Sequence, residues 1–234
     1  MTHTSTQTLE LPDVILAGRL GQLKEDADYR AAKAGEVGAA VRLVQRAVTD
    51  SLIGKLKHIQ NPLVVGVIST ESSGENAIPQ AAAAVIAHRL GSEWDDVIVQ
   101  SSTPMRTEQD GLGRIFSRPV FDGAVTPNRN YILVDDTLTQ GATMAALSRH
   151  IWEGGGNVAA LVALSGKAYS TKLHPDDSTI SELRQKYGGL EHDFTSGTGV
   201  RFDQLTNSET RYLVNFTPSQ RVRDCIIAAV GEAT

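Results

Sequence analysis

Ile132-Leu133-Val134-Asp135-Asp136-Thr137-Leu138-Thr139-Gln140-Gly141-Ala142-Thr143-Met144 is the stretch on which the fold turns. An apolar run, Tyr131 to Val134, breaks off in two carboxylates. The run is too short for a helix and apolar on both faces, as a buried parallel strand is. Hydroxyls and a glycine follow, and from Ala142 the pattern is helical to Glu153. In an open parallel sheet, ligands gather at the carboxyl ends of strands. The first N–H groups of the next helix are unpaired there, and its dipole favours an anion. Gly141 leaves space for a phosphate and tolerates positive φ. Thr137, Thr139 and Thr143 can donate to phosphate oxygens. Asp135 and Asp136 would repel a phosphate, so they are expected to face donors such as sugar hydroxyls. A sugar phosphate satisfies both halves of the corner.

Outward from this corner the chain alternates strand and helix. Leu63 to Ile68 reads as a buried strand, Ser69 to Asn76 as a loop, and Ile78 to Leu90 as a helix stopped by Gly91. Val97 to Val99 and Val158 to Leu164 read as further strands. Residues 101–129 form a long connection with Pro104, Gly111, Gly113, Pro119 and several arginines, and a hairpin is expected over Arg114 to Phe121. A connection this long inside a compact unit is usually functional. The order predicts a mainly parallel sheet with right-handed crossovers. Asp26 to Val48 is helical in pattern, with Gly35 and Gly38 as places to split it. Ser178 to Tyr187 and Ser219 to Ala229 read as helices. The expected organisation is a flexible N-terminus (1–12), a helical segment (13–60), a core (61–166) and a C-terminal helical segment (167–234).

The net charge of −5 argues against a general nucleic-acid binder. No apolar run approaches the roughly 18 residues that span a bilayer, and no signal peptide is legible, so a cytoplasmic protein without membrane association is expected. The single cysteine, Cys225, fits a reducing compartment and reads as a small packing residue. No histidine spacing suggests a zinc site.

The corner resembles the signature of the type I phosphoribosyltransferase family, which binds 5-phosphoribosyl-1-pyrophosphate (PRPP): a hydrophobic strand, two acids, a short spacer, then Thr, any residue, Gly, any residue, Thr. Arg106-Thr107-Glu108-Gln109, with Arg114 and Arg118 after it, is similar to the competence-associated ComF-like branch. The resemblance implies an α/β phosphoribosyltransferase fold, its sheet flanked by helices and hooded by N- and C-terminal segments. It implies a pentosyltransferase that displaces pyrophosphate from PRPP by a nitrogen base, with Mg²⁺. Asp135 and Asp136 would hold the ribose and, indirectly, the metal. Thr137, Leu138, Thr139, Gln140, Gly141, Ala142 and Thr143 would complete the PRPP site. Ser69, Thr70, Ser72, Ser73, Gly74 and Asn76 would form the pyrophosphate loop, although Glu71 and Glu75 make that loop acidic. Arg106, Arg114 and Arg118 would close as a lid. Thr139 stands where members acting on 6-oxopurines usually carry Asp. Tyr169, Lys172, His174, Tyr187, His192, Phe194 and Tyr212 are candidates for the hood that selects the base. A homodimer is implied. The alternative is a non-catalytic module of this fold that senses PRPP or a nucleotide and controls a partner protein or nucleic acid.

Overall fold

The structure, a computed structural model, describes residues 11–68, 70–71, 74–101 and 111–232, with side chains undescribed at 70–71, 74–75 and 231–232. Its centre is a five-stranded parallel sheet. The strands are β1 (Val14–Leu16), β2 (Leu63–Gly66), β3 (Glu93–Asp95), β4 (Asn130–Leu138) and β5 (Asn157–Gly166). They lie in the order β1-β5-β4-β2-β3. Every neighbouring pair is parallel. The mainly parallel sheet flanked by helices is thus the architecture the chain adopts.

Side chains alternate across the sheet, as strand geometry requires. Val64, Ile132, Val134 and Val162 enter one core with α1 (Tyr29–Lys33), α2 (Val37–Ala47), α3 (Asp50–Leu56) and α4 (Ile78–Leu90). Leu63, Val65, Leu133 and Leu161 enter the opposite core. The crossover from β2 to β3 carries α4, and the one from β4 to β5 carries α6 (Ala142–Glu153) in the opposite direction along the sheet. Right-handed crossovers running opposite ways lie on opposite faces, and α6 packs into the second core through Met144, Leu147 and Ile151.

A third core is separate. It joins α5 (Gly111–Phe116) to α7 (Asp177–Tyr187), α8 (Glu191–Thr198), α9 (Asn207–Asn215) and α10 (Ser219–Glu232). Phe194 is its hub, with ring centroids 5.5 Å from Phe116 and 5.0 Å from Phe202.

Several expectations need correction. Residues 13–60 hold more than helices and turns: β1 forms a sheet edge on β5, and Arg19 bridges to Gly166. The helical pattern from Asp26 breaks at Gly35, whose φ of 97° ends α1 before α2 begins. The second core strand is Glu93–Asp95 rather than Val97 to Val99, and Val99–Gln100 pairs antiparallel with Phe121–Asp122. An edge strand has one hydrogen-bonded neighbour and tolerates polar residues, so Glu93-Trp94-Asp95 lacks the apolar signature of a buried strand. The hairpin expected over Arg114 to Phe121 is instead the end of α5 and a return strand, because Leu112 and Ile115 fit the third core at helical spacing. The loop read over Ser69 to Asn76 includes a small antiparallel pairing of Thr70–Glu71 with Gly74–Glu75.

Candidate functional site

The strand order reverses between β2 and β4, since β3 lies on one side of that pair and β5 on the other. This is the switch point at which open α/β sheets bind ligands. Both loops singled out in the sequence leave the sheet here: the 67–77 connection after β2 and the 139–141 turn after β4. Gly66, ending β2, allows the start of α4 to approach. A Cβ there would lie 2.5 Å from the carbonyl oxygen of Pro79.

β4 is longer than its apolar run. Asp135 pairs with Ala163, Thr137 with Ser165 and Leu138 with Gly166, so both acids belong to the strand and only Thr139, Gln140 and Gly141 turn the corner. Gly141 has φ 85° and caps α6. The left-handed backbone favours glycine, and a Cβ would also push on Leu173, whose Cδ2 lies 2.5 Å away. A small pocket opens at this corner, lined by Asp135, Thr137, Thr139, Gln140, Thr143 and the first turn of α6, with Arg114 across from them. The hydroxyls and the helix N-terminus therefore do converge on one place.

The two acids part company. Strand alternation sends Asp136 to the opposite face, where it is buried. Its Oδ2 accepts from Asn76 Nδ2 at 3.0 Å and pairs with Lys33 Nζ at 3.0 Å. Asn76 Oδ1 in turn accepts from the Ile78 N–H at 3.2 Å, which fixes the end of the 67–77 connection at the start of α4. Asp135 is half-buried and faces the pocket. Burial, and next the neighbouring Asp136 carboxylate, push its pKa up to about 8, against a bond from the Asp136 N–H to its Oδ1 (2.8 Å) that favours the anion. A carboxyl poised in that way donates a hydrogen bond when neutral, and accepts them once a nearby cation or donating sugar hydroxyls stabilise its anion and the proton leaves to solvent.

The corner is clamped from the C-terminal segment. Thr206 Oγ1 donates to the Gln140 carbonyl at 2.6 Å and accepts from the Glu209 N–H at 3.1 Å. Glu209 Oε2 accepts from the Thr206 N–H at 2.8 Å, closing a capping box at α9. Its other oxygen is ion-paired with Arg118. That pair is almost fully enclosed, with the arginine side chain 9% and the glutamate 1% exposed. Arg118 therefore departs from the lid role expected of it and is held in the foundation of the corner. Arg114 is exposed and lines the pocket.

A larger cleft of about 870 Å³ adjoins the corner, sharing Arg114, Thr139 and Gln140 with the small pocket. Of the hood candidates, Tyr169 and Tyr212 line it. Tyr187 and Phe194 are core residues of the C-terminal helices, Lys172 pairs with Asp176, His192 is exposed on α8, and His174 lines a different pocket beside α6.

No family model matches the chain. It is 35% identical over 228 residues to Protein TraN of Escherichia coli, an alignment covering 96% of this chain and 51% of that protein. It is 37% identical over 145 residues to an uncharacterized protein of Haemophilus influenzae, covering 61% of this chain and 32% of the relative. The chain thus spans about half the length of the first relative and about a third of the second. Solved structures similar to it include adenine phosphoribosyltransferase from Saccharomyces cerevisiae (TM-score 0.36, 15% identity, 55% of this chain and 76% of that one). Orotate phosphoribosyltransferase from Aeropyrum pernix is another (TM-score 0.33, 15% identity, 62% and 79%).

Ser69, Ser72, Ser73 and Arg106 lie outside the described residues, and Thr70 and Gly74 are described in backbone only. Four residues near the corner carried no expectation from the sequence: Lys33 and Thr206, and Lys167 and Arg211, which line the larger cleft. Only Thr206 carries a legible signal, the Thr206-Asn207-Ser208-Glu209 capping pattern. Among the described residues no helix is long and apolar enough to cross a membrane.

Proposed function

We propose that the corner from Asp135 to Thr143 binds the ribose 5-phosphate portion of PRPP, and that the chain transfers the phosphoribosyl group to a nitrogen base with release of pyrophosphate. The observation that carries this reading is a single pocket at the sheet's switch point, shared by a carboxyl, three threonines and the first turn of a helix. The phosphate sits on the Thr139, Thr143 and α6 N–H donors. The ribose hydroxyls face Asp135. The C1–O bond to pyrophosphate breaks as the base nitrogen bonds to C1, pyrophosphate leaves with the bonding pair, and the proton of the base passes to solvent. Arg114, beside the pocket, meets the developing charge of the leaving group with paired N–H donors.

Asp136 acts through Asn76 rather than by touching the sugar: it ties the β4 corner to the end of the 67–77 connection that would receive the pyrophosphate. Among the described residues no three metal-ligating side chains cluster. Mg²⁺ keeps several waters and is held largely by substrate phosphates with one or two carboxylates. Asp135 is the pocket's carboxylate for it. When bound, the ion would neutralise charge on the pyrophosphate. The proposal includes the homodimer that the family resemblance implies and the cytoplasmic location expected from the sequence.

The placement of Arg118 favours one alternative. With that arginine committed to Glu209, the same pocket suits a sensor that binds PRPP or a nucleotide without turnover. Calorimetric titration of PRPP, with Mg²⁺ and with excess chelator, tests the shared core of both readings. Expected are saturable binding that weakens in chelator and a loss of about tenfold or more in Asp135→Asn, from a lost charge-assisted bond. An affinity unchanged by Asp135→Asn would remove the assignment. Pyrophosphate release across a panel of bases then separates enzyme from sensor.

A further inference from the structure

We infer that the cleft beside the corner selects a planar aromatic molecule with a fixed negative charge, such as a heteroaromatic carboxylate. This rests on the phosphoribosyl reading insofar as that molecule is taken as the acceptor base. Among the described residues, three cations line the cleft, Arg114, Lys167 and Arg211, and no aspartate or glutamate does. That is against the grain of a chain with net charge −5. None of the three makes an ion pair with a described residue. Asp176, whose carboxyl is held down first by Lys172 and more weakly by Arg211, is already paired with Lys172. Like charges gathered without a counterion repel one another, and an anion in the cleft relieves that repulsion.

The aromatic requirement comes from the walls. Tyr169 is 65% exposed, with Lys167 Nζ 5.6 Å from its ring centroid. Tyr212 and Phe216, which also line the cleft, lie 5.5 Å apart at 47°. The arrangement of α9 explains how the chain presents them. Ser208, Arg211, Tyr212 and Asn215 recur at three and four residues and face the cleft, while Glu209, Thr210 and Leu213 form the buried face. Lys167 follows directly on β5, so the sheet delivers it to the same carboxyl-end surface as Asp135. A flat ring stacked between tyrosines, its carboxylate toward Lys167 and Arg211, satisfies charge and shape together.

The test compares charged and neutral partners of one shape. Nicotinate against nicotinamide, and orotate against uracil, are titrated into the 234-residue chain by calorimetry, with and without saturating PRPP and Mg²⁺. The acids are expected to bind at least tenfold more tightly, and Lys167→Met and Arg211→Gln each to cut that preference about tenfold. PRPP affinity should be unchanged in both variants, since neither residue lines the corner pocket. Equal binding of acids and neutral counterparts would overturn the inference. So would a variant that loses PRPP affinity and keeps the preference, because the cations would then serve pyrophosphate. A single-stranded oligonucleotide that outcompetes the acids would also overturn it. Binding of the acids by a chain that fails to bind PRPP would sink the phosphoribosyl reading and leave this inference standing.

Discussion

Replacing Arg118 with methionine keeps most of the side chain's apolar stem and removes only its charged end. Glu209, 1% exposed, would then hold an ionised carboxylate with one remaining bond, from the Thr206 N–H. Breaking a buried pair from one side costs about 3–5 kcal/mol, because the orphaned charge stays desolvated. For a chain of this size that corresponds to a melting temperature lower by roughly 10 °C. Adding Glu209→Gln removes the charge while leaving an oxygen to cap α9, so the double variant should recover more than half of the loss. Urea unfolding supplies the stability of each variant, and PRPP titration at a temperature where all are folded supplies the affinity. If Arg118→Met leaves stability within about 0.5 kcal/mol of the parent and PRPP affinity collapses, the arginine belongs to a lid rather than to the foundation of the corner.

Lys33→Met should destabilise by about 3 kcal/mol, since it strands Asp136 in the core, and Asp136→Asn in the same chain should restore much of it; equal stability of the single and double variants in urea would contradict the pairing. Gly141→Ala should cost at least about 1–2 kcal/mol from the left-handed backbone alone, with Leu173 displaced as well, and a thermal melt matching the parent would show that the corner accepts a side chain. Asp135 carries its own pH signature. Its folded pKa of about 8 exceeds the ordinary 3.8, so between those values the folded chain holds a proton that the unfolded chain has released, and stability falls as pH rises through that window. Asp135→Asn should flatten this part of the profile between pH 4 and 8; identical slopes for parent and variant in urea unfolding would refute the burial of that carboxyl.

The sequence carried the corner well because several independent signals coincide there. Val134 ends an apolar run, Gly141 must adopt positive φ, and α6 begins at Ala142 as its pattern predicts. What it carried poorly depends on partners far along the chain. Asp135 and Asp136 look equivalent as a pair of letters, yet strand alternation puts one in the pocket and the other on Lys33, whose place at the end of α1 carries no mark of that role. Arg118 reads as a loop charge until Glu209 is brought to it by the third core. Glu93-Trp94-Asp95 is invisible as a strand because an edge needs backbone bonds more than apolar side chains. The cleft's cations come from the end of β5, from α5 and from α9, and no local spacing unites them.

β1 has a temporal consequence. Val14 pairs with Leu161, Ile15 with Val162 and Leu16 with Ala163, so a growing polypeptide holds its earliest strand idle until nearly the whole sheet has been synthesised. Closing so large a loop for three residues of ladder is entropically slow. In the interval the flank of β5 offers unsatisfied amides and carbonyls to any stray strand. Until β1 seats, that edge is the kind of transiently unpaired strand that favours aggregation.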